Sequence, residues 1–525
     1  MILPRLSAND DPADVVLLLE GTYPMVRGGV AGWLDQLIRG LPQYRFAVVF
    51  LGSRPEDYEG LKYELADNVV HLECHYLMGS TLTGSVRRAG GCPRAFECSR
   101  ALHDRLGQPG GDIDDALAEV AALVGQGSGL SRNDFEESRL AWDEIVERYT
   151  TCYDETSFLD YFWSVRNMHS PLFMLADLAR RLPRGRCLHA ISTGYAGFLG
   201  ALAHHQTGTP LMVTEHGIYT KERHIDLLEA DWIHAPVDPL SHGLKAESGY
   251  LRRLWIRFFH SLGRMTYHAA SDITTLYDGN RRRQLNDGAP ASRSRVIPNG
   301  IRIERFRPLR EATQANTRPV MVLLGRVTPI KDIKTFLRAT RQLQLQLPEL
   351  EAWVVGPDDE DPLYAQECRD LAEQLKLGEQ LRFLGFQKTE DILAQARLVV
   401  LTSISEAQPL VVLEALAAGV PVVTTDVGAC REMVLGDGSP EQAAGQVVPI
   451  ANPQATAAAA AALLKDPAAW QAAREVGIER VEQHYTESLM LERYAERYQV
   501  AMEDAMAVHE AQASTTSRHG QNTDA

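Results

Sequence analysis

No stretch of this chain is apolar for the length a bilayer-spanning helix needs, roughly 20 residues. The nearest candidate, Ala455 to Leu464, is short, alanine-rich and closed by Lys465. The N-terminus, Met-Ile-Leu-Pro-Arg-Leu-Ser-Ala-Asn-Asp-Asp, lacks the apolar run of a signal peptide. Basic charge is in deficit: 53 Lys and Arg face 69 Asp and Glu, for a net charge of -16. That balance argues against nucleic acid or an anionic membrane as the partner of the whole surface. Cysteine is sparse and unpatterned. The seven residues (Cys74, Cys92, Cys98, Cys152, Cys187, Cys368, Cys430) are scattered, odd in number and free of CxxC spacing. Free thiols in a reducing cytoplasm are therefore expected, and a zinc site is not. The full GxGxxG fingerprint with a downstream acid is missing as well, so nothing supports a dinucleotide site.

What is present is the alternation of an α/β protein. At 525 residues, two to four domains are plausible, and 45% hydrophobic with 23% charged residues is ordinary for a globular chain. Val15–Leu19 is a continuous apolar run, as in a strand buried on both faces of a parallel sheet. Similar runs at 46–51, 187–191, 211–214, 272–276 and 294–297 give one doubly wound series. Those at 319–324, 352–355, 381–384, 398–401 and 421–424 give a second. The expected organisation is a first domain over 1–305 with an insertion at about 75–156, and a second over 306–484. A C-terminal helix over 485–510 is expected to cross back to the first domain, before a disordered Ser/Thr/Gly/Asn-rich tail over 511–525.

Chemistry gathers where strands end. Ser405-Glu406-Ala-Gln-Pro409-Leu-Val-Val-Leu-Glu414 places two glutamates eight positions apart around a proline suited to the first helical position. Glu406 then lies on the loop and Glu414 inside the helix, while the amides of Leu410 and Val411 favour a phosphate. Gly325-Arg326-Val-Thr-Pro-Ile-Lys331 follows a strand, and two cations five apart can straddle a diphosphate, a fork from Arg and a point charge from Lys. Gly28 and Gly29 let backbone approach a phosphate or sugar closely. His216, at a strand end beside Gly217, can reach a sugar hydroxyl. Pro298-Asn299-Gly300 is a turn suited to a hinge or cleft wall. Asp112-Ile-Asp114 has the form of a metal-binding Asp-x-Asp, but in a glycine-rich insertion it follows no buried strand. Tyr250-Leu-Arg-Arg-Leu-Trp-Ile-Arg-Phe-Phe259 reads as a helix packed on the first sheet with arginines at its rim, with membrane docking as the alternative.

In order along the chain, Gly28-Gly29, Pro298-Asn299-Gly300, Gly325-Arg326 with Lys331, Phe383-Leu-Gly385-Phe386 and Glu406 to Glu414 resemble the retaining glycosyltransferases of family 4. Leu19-Glu-Gly-Thr-Tyr-Pro24, Gly28-Gly-Val-Ala-Gly-Trp33 and Thr214-Glu-His-Gly-Ile-Tyr219 resemble the subgroup serving Pel exopolysaccharide synthesis. The resemblance implies the GT-B architecture, two Rossmann-like doubly wound domains facing a cleft. It implies hexosyl transfer from a UDP-sugar, UDP-glucose favoured, to a growing exopolysaccharide. Arg326 and Lys331 would hold the diphosphate, Glu406 the sugar hydroxyls, Glu414 the ribose and main chain near Phe386 the base. Gly29 would approach the diphosphate, and His216 would serve the sugar and acceptor. No metal or cofactor is expected, and no nucleic acid. The implied partners are the UDP-sugar, a polysaccharide acceptor and an inner-membrane Pel synthase complex, with the protein itself cytoplasmic. The main alternative is a nucleotide-sugar-binding scaffold or regulatory subunit of a membrane synthase. A 2-epimerase or a phosphorylase-like enzyme has less support, since neither its acid–base pair nor a pyridoxal lysine is evident.

Overall fold

The computed structural model describes residues 3–7, 9–78, 90–108, 112–125, 127, 129–151, 157–223, 244–439 and 442–520, without the side chains of 244–249 and 504–520. Cys152 and residues 521–525 of the expected tail lie outside these.

The chain forms two compact units. The first comprises Met1–Thr275, Arg281–Arg295 and the segment from Tyr494 onward; the second comprises Leu276–Asn280 and Val296–Arg493. The division thus falls ahead of residue 305, and the second unit also takes the short 276–280 segment. Asp278 explains that exchange, because its N–H donates to Glu432 of the second unit at 3.2 Å.

The first unit is built on seven strands, β1 Ala13–Glu20, β2 Phe46–Gly52, β3 Val69–Tyr76, β4 Gly185–Ala190, β5 Leu211–Glu215, β6 Ala270–Thr275 and β7 Ser294–Val296. Their order is β3-β2-β1-β4-β5-β6-β7, and β1 pairs in parallel with both β2 and β4. Every residue from Val15 to Leu19 is fully buried, as an apolar run between two helical layers requires. β3 had no counterpart among the expected strands, because His71, Glu73 and His75 interrupt its apolar pattern at the edge of the sheet. The insertion is helical where described: Pro93–Leu106, Asp114–Leu123, Arg132–Glu137 and Arg139–Thr151, followed by the long helix Phe158–Ala179. The helix ending in His268-Ala269 buries Phe258 and Phe259 in the core and leaves Arg253 and Arg257 exposed, the packed arrangement expected of the 250–259 stretch.

The second unit has six strands, β8 Val320–Leu324, β9 Glu351–Val355, β10 Leu381–Gly385, β11 Leu398–Leu401, β12 Val422–Thr425 and β13 Gly445–Val448. All pair in parallel in the order β10-β9-β8-β11-β12-β13. The helical run expected over 453–484 is two helices, Pro453–Lys465 and Pro467–His484. Pro467 cannot continue a helix, and Asp466 caps the new one by accepting from the N–H groups of Ala468 and Ala469. The last helix, Glu487–Gly520, runs well beyond residue 511. Its Ala-Met-Ala-Val-His-Glu-Ala-Gln-Ala sequence is rich in helix formers, which outweighs the polar residues that suggested disorder. From Tyr494 the helix belongs to the first unit, where Tyr494 and Tyr498 are fully buried. Among the described residues no helix is long and apolar enough to cross a membrane.

In both sheets the winding reverses beside the first strand of the series, between β1 and β4 and between β8 and β11. Open parallel sheets hold ligands beyond the carboxyl ends of their strands at such points.

Candidate functional site

The β8–β11 reversal gathers most of the expected residues. The loops after these strands are tied together: the Ile404 N–H donates to Ile330 O at 2.8 Å, and Thr402 Oγ1 donates to Lys331 O at 2.9 Å. Asp332 follows in the left-handed region with φ 45 and caps the helix Ile333–Gln344 through Thr335 N–H. This turn brings the Lys331 ammonium onto the Glu406 carboxylate, with which it forms a close ion pair. Only 19% and 15% of the two side chains is exposed, so the pair is sheltered from solvent screening.

Arg326, on the same loop as Lys331, is paired with Glu360 on the loop after β9, and both side chains are half-exposed. The two loops join where the Val327 N–H donates to Pro357 O at 2.9 Å. Gly356 permits the approach, since a Cβ there would stand 2.0 Å from Gly325 O.

The helix Leu410–Ala417 begins one residue later than the sequence suggested, with Pro409 at the N-cap position at φ -72, ψ 112. A proline cap has no side-chain oxygen, and no acid lies in the first turn. The leading amides of Leu410 and Val411 are therefore left for an external anion. Glu414 follows half-buried, and desolvation raises its carboxyl above the usual range against the opposing pull of Arg305. Phe386, just beyond β10, exposes 79% of its surface.

Besides Glu360, two residues of this site escaped the sequence reading. Gln408 accepts the Asn299 N–H on Oε1 at 2.7 Å. Both residues are 7% exposed, and neither Gln408 Nε2 nor Asn299 Oδ1 finds a partner among the described residues. This contact ties Asn299 to the Glu406 loop. Gly428, at φ +52 after β12, lies against the same loop: a Cβ there would stand 2.2 Å from Ala407 O and 2.3 Å from Glu406 O. The next amide, Ala429 N–H, donates to Ala407 O at 2.8 Å. Neither role carries a sequence signal, because each depends on a contact across the fold.

In the first unit, Gly28 caps the helix Gly29–Gly40, whose first turn holds neither a side-chain cap nor an acid. Trp33 of that helix packs edge-on against His216, with ring centroids 4.5 Å apart, and His216 is 9% exposed. Its neighbour Glu215 is almost fully buried. It accepts from Thr193 Oγ1 at 2.9 Å, Tyr267 OH at 2.5 Å, Gln284 Nε2 at 2.9 Å and Tyr219 N–H at 3.1 Å. Burial still pushes its carboxyl pKa upward. Asp112 and Asp114 meet His268, whose Nδ1 lies 3.9 and 3.2 Å from their oxygens. Their ligand atoms lie within 4.8 Å of one another. Asp112 is exposed, and Asp114 and His268 are half-buried.

Residues 306–480 match the family described as Glycosyl transferases group 1, and residues 13–292 match the Domain of unknown function (DUF3492). The D-inositol 3-phosphate glycosyltransferase of Nocardia farcinica is 31% identical over 181 residues, 32% of this chain and 40% of that protein. The phosphatidyl-myo-inositol mannosyltransferase of Mycolicibacterium smegmatis is 33% identical over 181 residues, 32% of this chain and 42% of that protein. The chain thus spans less than half the length of these curated relatives. Among solved structures, Anabaena Alr3699/HepE in complex with UDP superposes with a TM-score of 0.54 at 14% identity, over 93% of this chain and 100% of that one. Sucrose-phosphate synthase from Thermosynechococcus elongatus gives 0.55 at 16% identity, over 94% and 100%. At such identities the likeness is one of fold, two parallel-sheet Rossmann-like α/β domains of the GT-B kind. With the match over 13–292 spanning more than half of its 525 residues, the chain belongs to the DUF3492 family, and over 306–480 it is similar to the group 1 glycosyl transferases.

Proposed function

We propose that the protein is a retaining hexosyltransferase that takes a hexosyl unit from a UDP-sugar, with UDP-glucose the favoured donor. The acceptor in this reading is a growing exopolysaccharide, as for PelF, with the work done in the cytoplasm beside an inner-membrane synthase complex. The observation that carries the reading is the sheltered Lys331–Glu406 pair at the β8–β11 reversal, beside the uncapped amides of Leu410 and Val411. Breaking the bond from the anomeric carbon to phosphate sends the electron pair onto the departing diphosphate. Lys331, Arg326 and the two amides offer fixed positive charge where that negative charge develops, so they lower the barrier directly. Glu406, already on Lys331, is placed to take sugar hydroxyls on the other side of the reacting carbon. Glu414 serves the ribose, its carboxylate accepting from the ribose hydroxyls. Retention follows from the resemblance to family 4. Because fixed cations do the electrostatic work, turnover is expected without a metal.

The UDP and UDP-glucose bound by Anabaena Alr3699/HepE support the donor class. The names of the Nocardia and Mycolicibacterium relatives favour a second reading, in which an inositol phosphate or its lipid is the acceptor. Calorimetric titration with UDP, UDP-sugars and GDP-sugars in EDTA, on the full chain and on Arg326→Ala, tests the donor site. Metal-independent binding of one UDP-sugar, weakened in the variant, is expected. Failure of every nucleotide to bind refutes the transferase reading. Once a donor is found, turnover with polysaccharide fragments or inositol phosphate separates the two acceptors, and binding without turnover on any acceptor marks a scaffold.

A further inference from the structure

The outermost strand of the first sheet, β3, is met on its free side by residues 3–7. The Leu72 N–H donates to Pro4 O at 2.9 Å, and the Leu6 N–H donates to His71 Nδ1 at 3.0 Å. The segment thus clips the edge through its main chain and through one imidazole. Uncovered strand edges recruit other strands, so what holds such a clip matters. Behind it, the Ser7 N–H donates to Asp10 at 2.7 Å and the Asp10 N–H to Ser7 O at 3.2 Å. That turn joins the clip to β1 without drawing on β3.

A main-chain N–H can only donate, so His71 Nδ1 presents its lone pair to Leu6. The proton of the neutral ring then sits on Nε2, which faces the Glu73 carboxylate at 3.6 Å. The other oxygen of Glu73 lies 3.4 Å from His75 Nε2. The three residues share one face of the strand by its alternation of side chains. His71 is 6% exposed, so water is a poor substitute for either partner. Burial works to raise the Glu73 carboxyl, but hydrogen bonds from the two imidazoles bring it down to about 2. Glu73 therefore stays ionised through the range in which imidazoles change charge.

A second proton on His71 has one place to go. It lands on Nδ1 and turns the acceptor into a donor aimed at the Leu6 N–H. Two donors then face each other and their hydrogen bond is lost, while Glu73 keeps hold of the ring through Nε2. The surroundings favour the same outcome. Arg5 of the clip carries a like charge and is near enough to act on Cys74, and β2 sets only Ala47 opposite His71. His75, once charged, draws on the same carboxylate.

We propose that His71 is a pH-sensitive latch, whose protonation releases residues 3–7 from β3 and uncovers the outer edge of the first sheet. The proposal is independent of the transferase reading.

Hydrogen exchange of the Leu72 amide in the full chain, corrected for the intrinsic effect of pH, reads the latch at pH 8 and pH 5, the span over which imidazole changes charge. Protection at Leu72 should fall about fivefold or more on acidification, relative to Val16 of β1, which reports opening of the whole unit. His71→Asn sets an amide oxygen that does not titrate in the place of Nδ1, and should abolish the response. His75→Gln should leave it as in the unaltered chain. If His71→Asn does not fold, the ring signals of His71 in the unaltered chain decide, because their titration midpoint should coincide with the loss at Leu72. Relative protection that does not change with pH, that changes equally in His71→Asn, or that follows a midpoint other than that of His71 overturns the proposal.

Discussion

Removing the Lys331 charge should separate the two halves of the donor. The ammonium is committed to Glu406, and both side chains are more than four-fifths buried. An exposed pair is worth ~0–1 kcal/mol, whereas truncating one partner of a fully buried pair costs ~3–5 kcal/mol. This pair lies between those limits, so Lys331→Met should destabilise the second unit by about 1–3 kcal/mol. Its effect on ligands is distinct. A charged hydrogen bond to phosphate contributes ~1.5–3 kcal/mol, so UDP affinity should fall about 10- to 100-fold. Glu406→Gln should act in the opposite sense on UDP, because it frees Lys331 for the phosphate, yet weaken a UDP-hexose by removing its hydroxyl acceptor. In the double variant the two effects should fail to add, with a coupling of about 1 kcal/mol or more. Calorimetric titration of UDP and of UDP-glucose across the four proteins measures this. Equal losses of UDP and UDP-glucose in Glu406→Gln, or strict additivity, would refute the assignment of Glu406 to the sugar and Lys331 to the diphosphate.

The half-exposed Glu360 partner of Arg326 must be displaced by the donor, so Glu360→Gln should tighten UDP by about two- to fivefold at low salt, with the gain fading as salt rises; unchanged affinity counts against it. Gly428→Ala forces a Cβ against the Glu406 backbone from a left-handed conformation, so the second unit should lose about 1–3 kcal/mol and UDP-glucose binding should weaken; an unaltered melting profile and affinity would contradict this. Burial, then repulsion from His216, lowers the His189 pKa to about 3 in the fold. The unfolded imidazole near 6.5 takes its proton first, so this stabilisation is full above pH 6.5 and is lost as pH falls towards 3. By pH 5 it should have cost about 2 kcal/mol, a loss that urea unfolding at pH 7.5 and 5 should show and that His189→Gln should reduce.

The strands inside their sheets, covered on both faces, read plainly from sequence, and two of the four edge strands, β7 and β10, were legible as well. Val15–Leu19, Val320–Leu324 and Leu398–Leu401 sit inside their sheets, and burial on both sides leaves an unbroken apolar run. The two that were missed, β3 and β13, are the other edge strands. With one neighbour each, they tolerate the polar residues of His71-Leu-Glu73-Cys-His75 and Gly445-Gln446, which erase the pattern. The site divides in a similar way. Lys331, Glu406 and the start of the Leu410 helix were legible because strand-end loops carry chemistry in this fold class. Glu360, Gln408 and Gly428 were not, because their parts are set by contacts with Arg326, Asn299 and the Glu406 backbone across distant stretches of chain. The break at Pro467 was hidden by the long alanine-rich helical composition on either side.

The first unit is not finished until synthesis has passed Tyr494 and Tyr498. His189 Nδ1 meets the Tyr498 OH at 2.7 Å, and Trp33 packs on Tyr494 with centroids 5.3 Å apart. During synthesis, residue 295 precedes Tyr494 by about 200 residues, on the order of 10–40 s at ordinary elongation rates. Throughout that interval a strand histidine and a core tryptophan of the nascent unit lack their last covering layer. A protein ending near residue 484, where the second unit's helices close, would carry that uncovered surface permanently and should be recovered aggregated or chaperone-bound. The order of translation therefore makes the final helix the step that completes the fold.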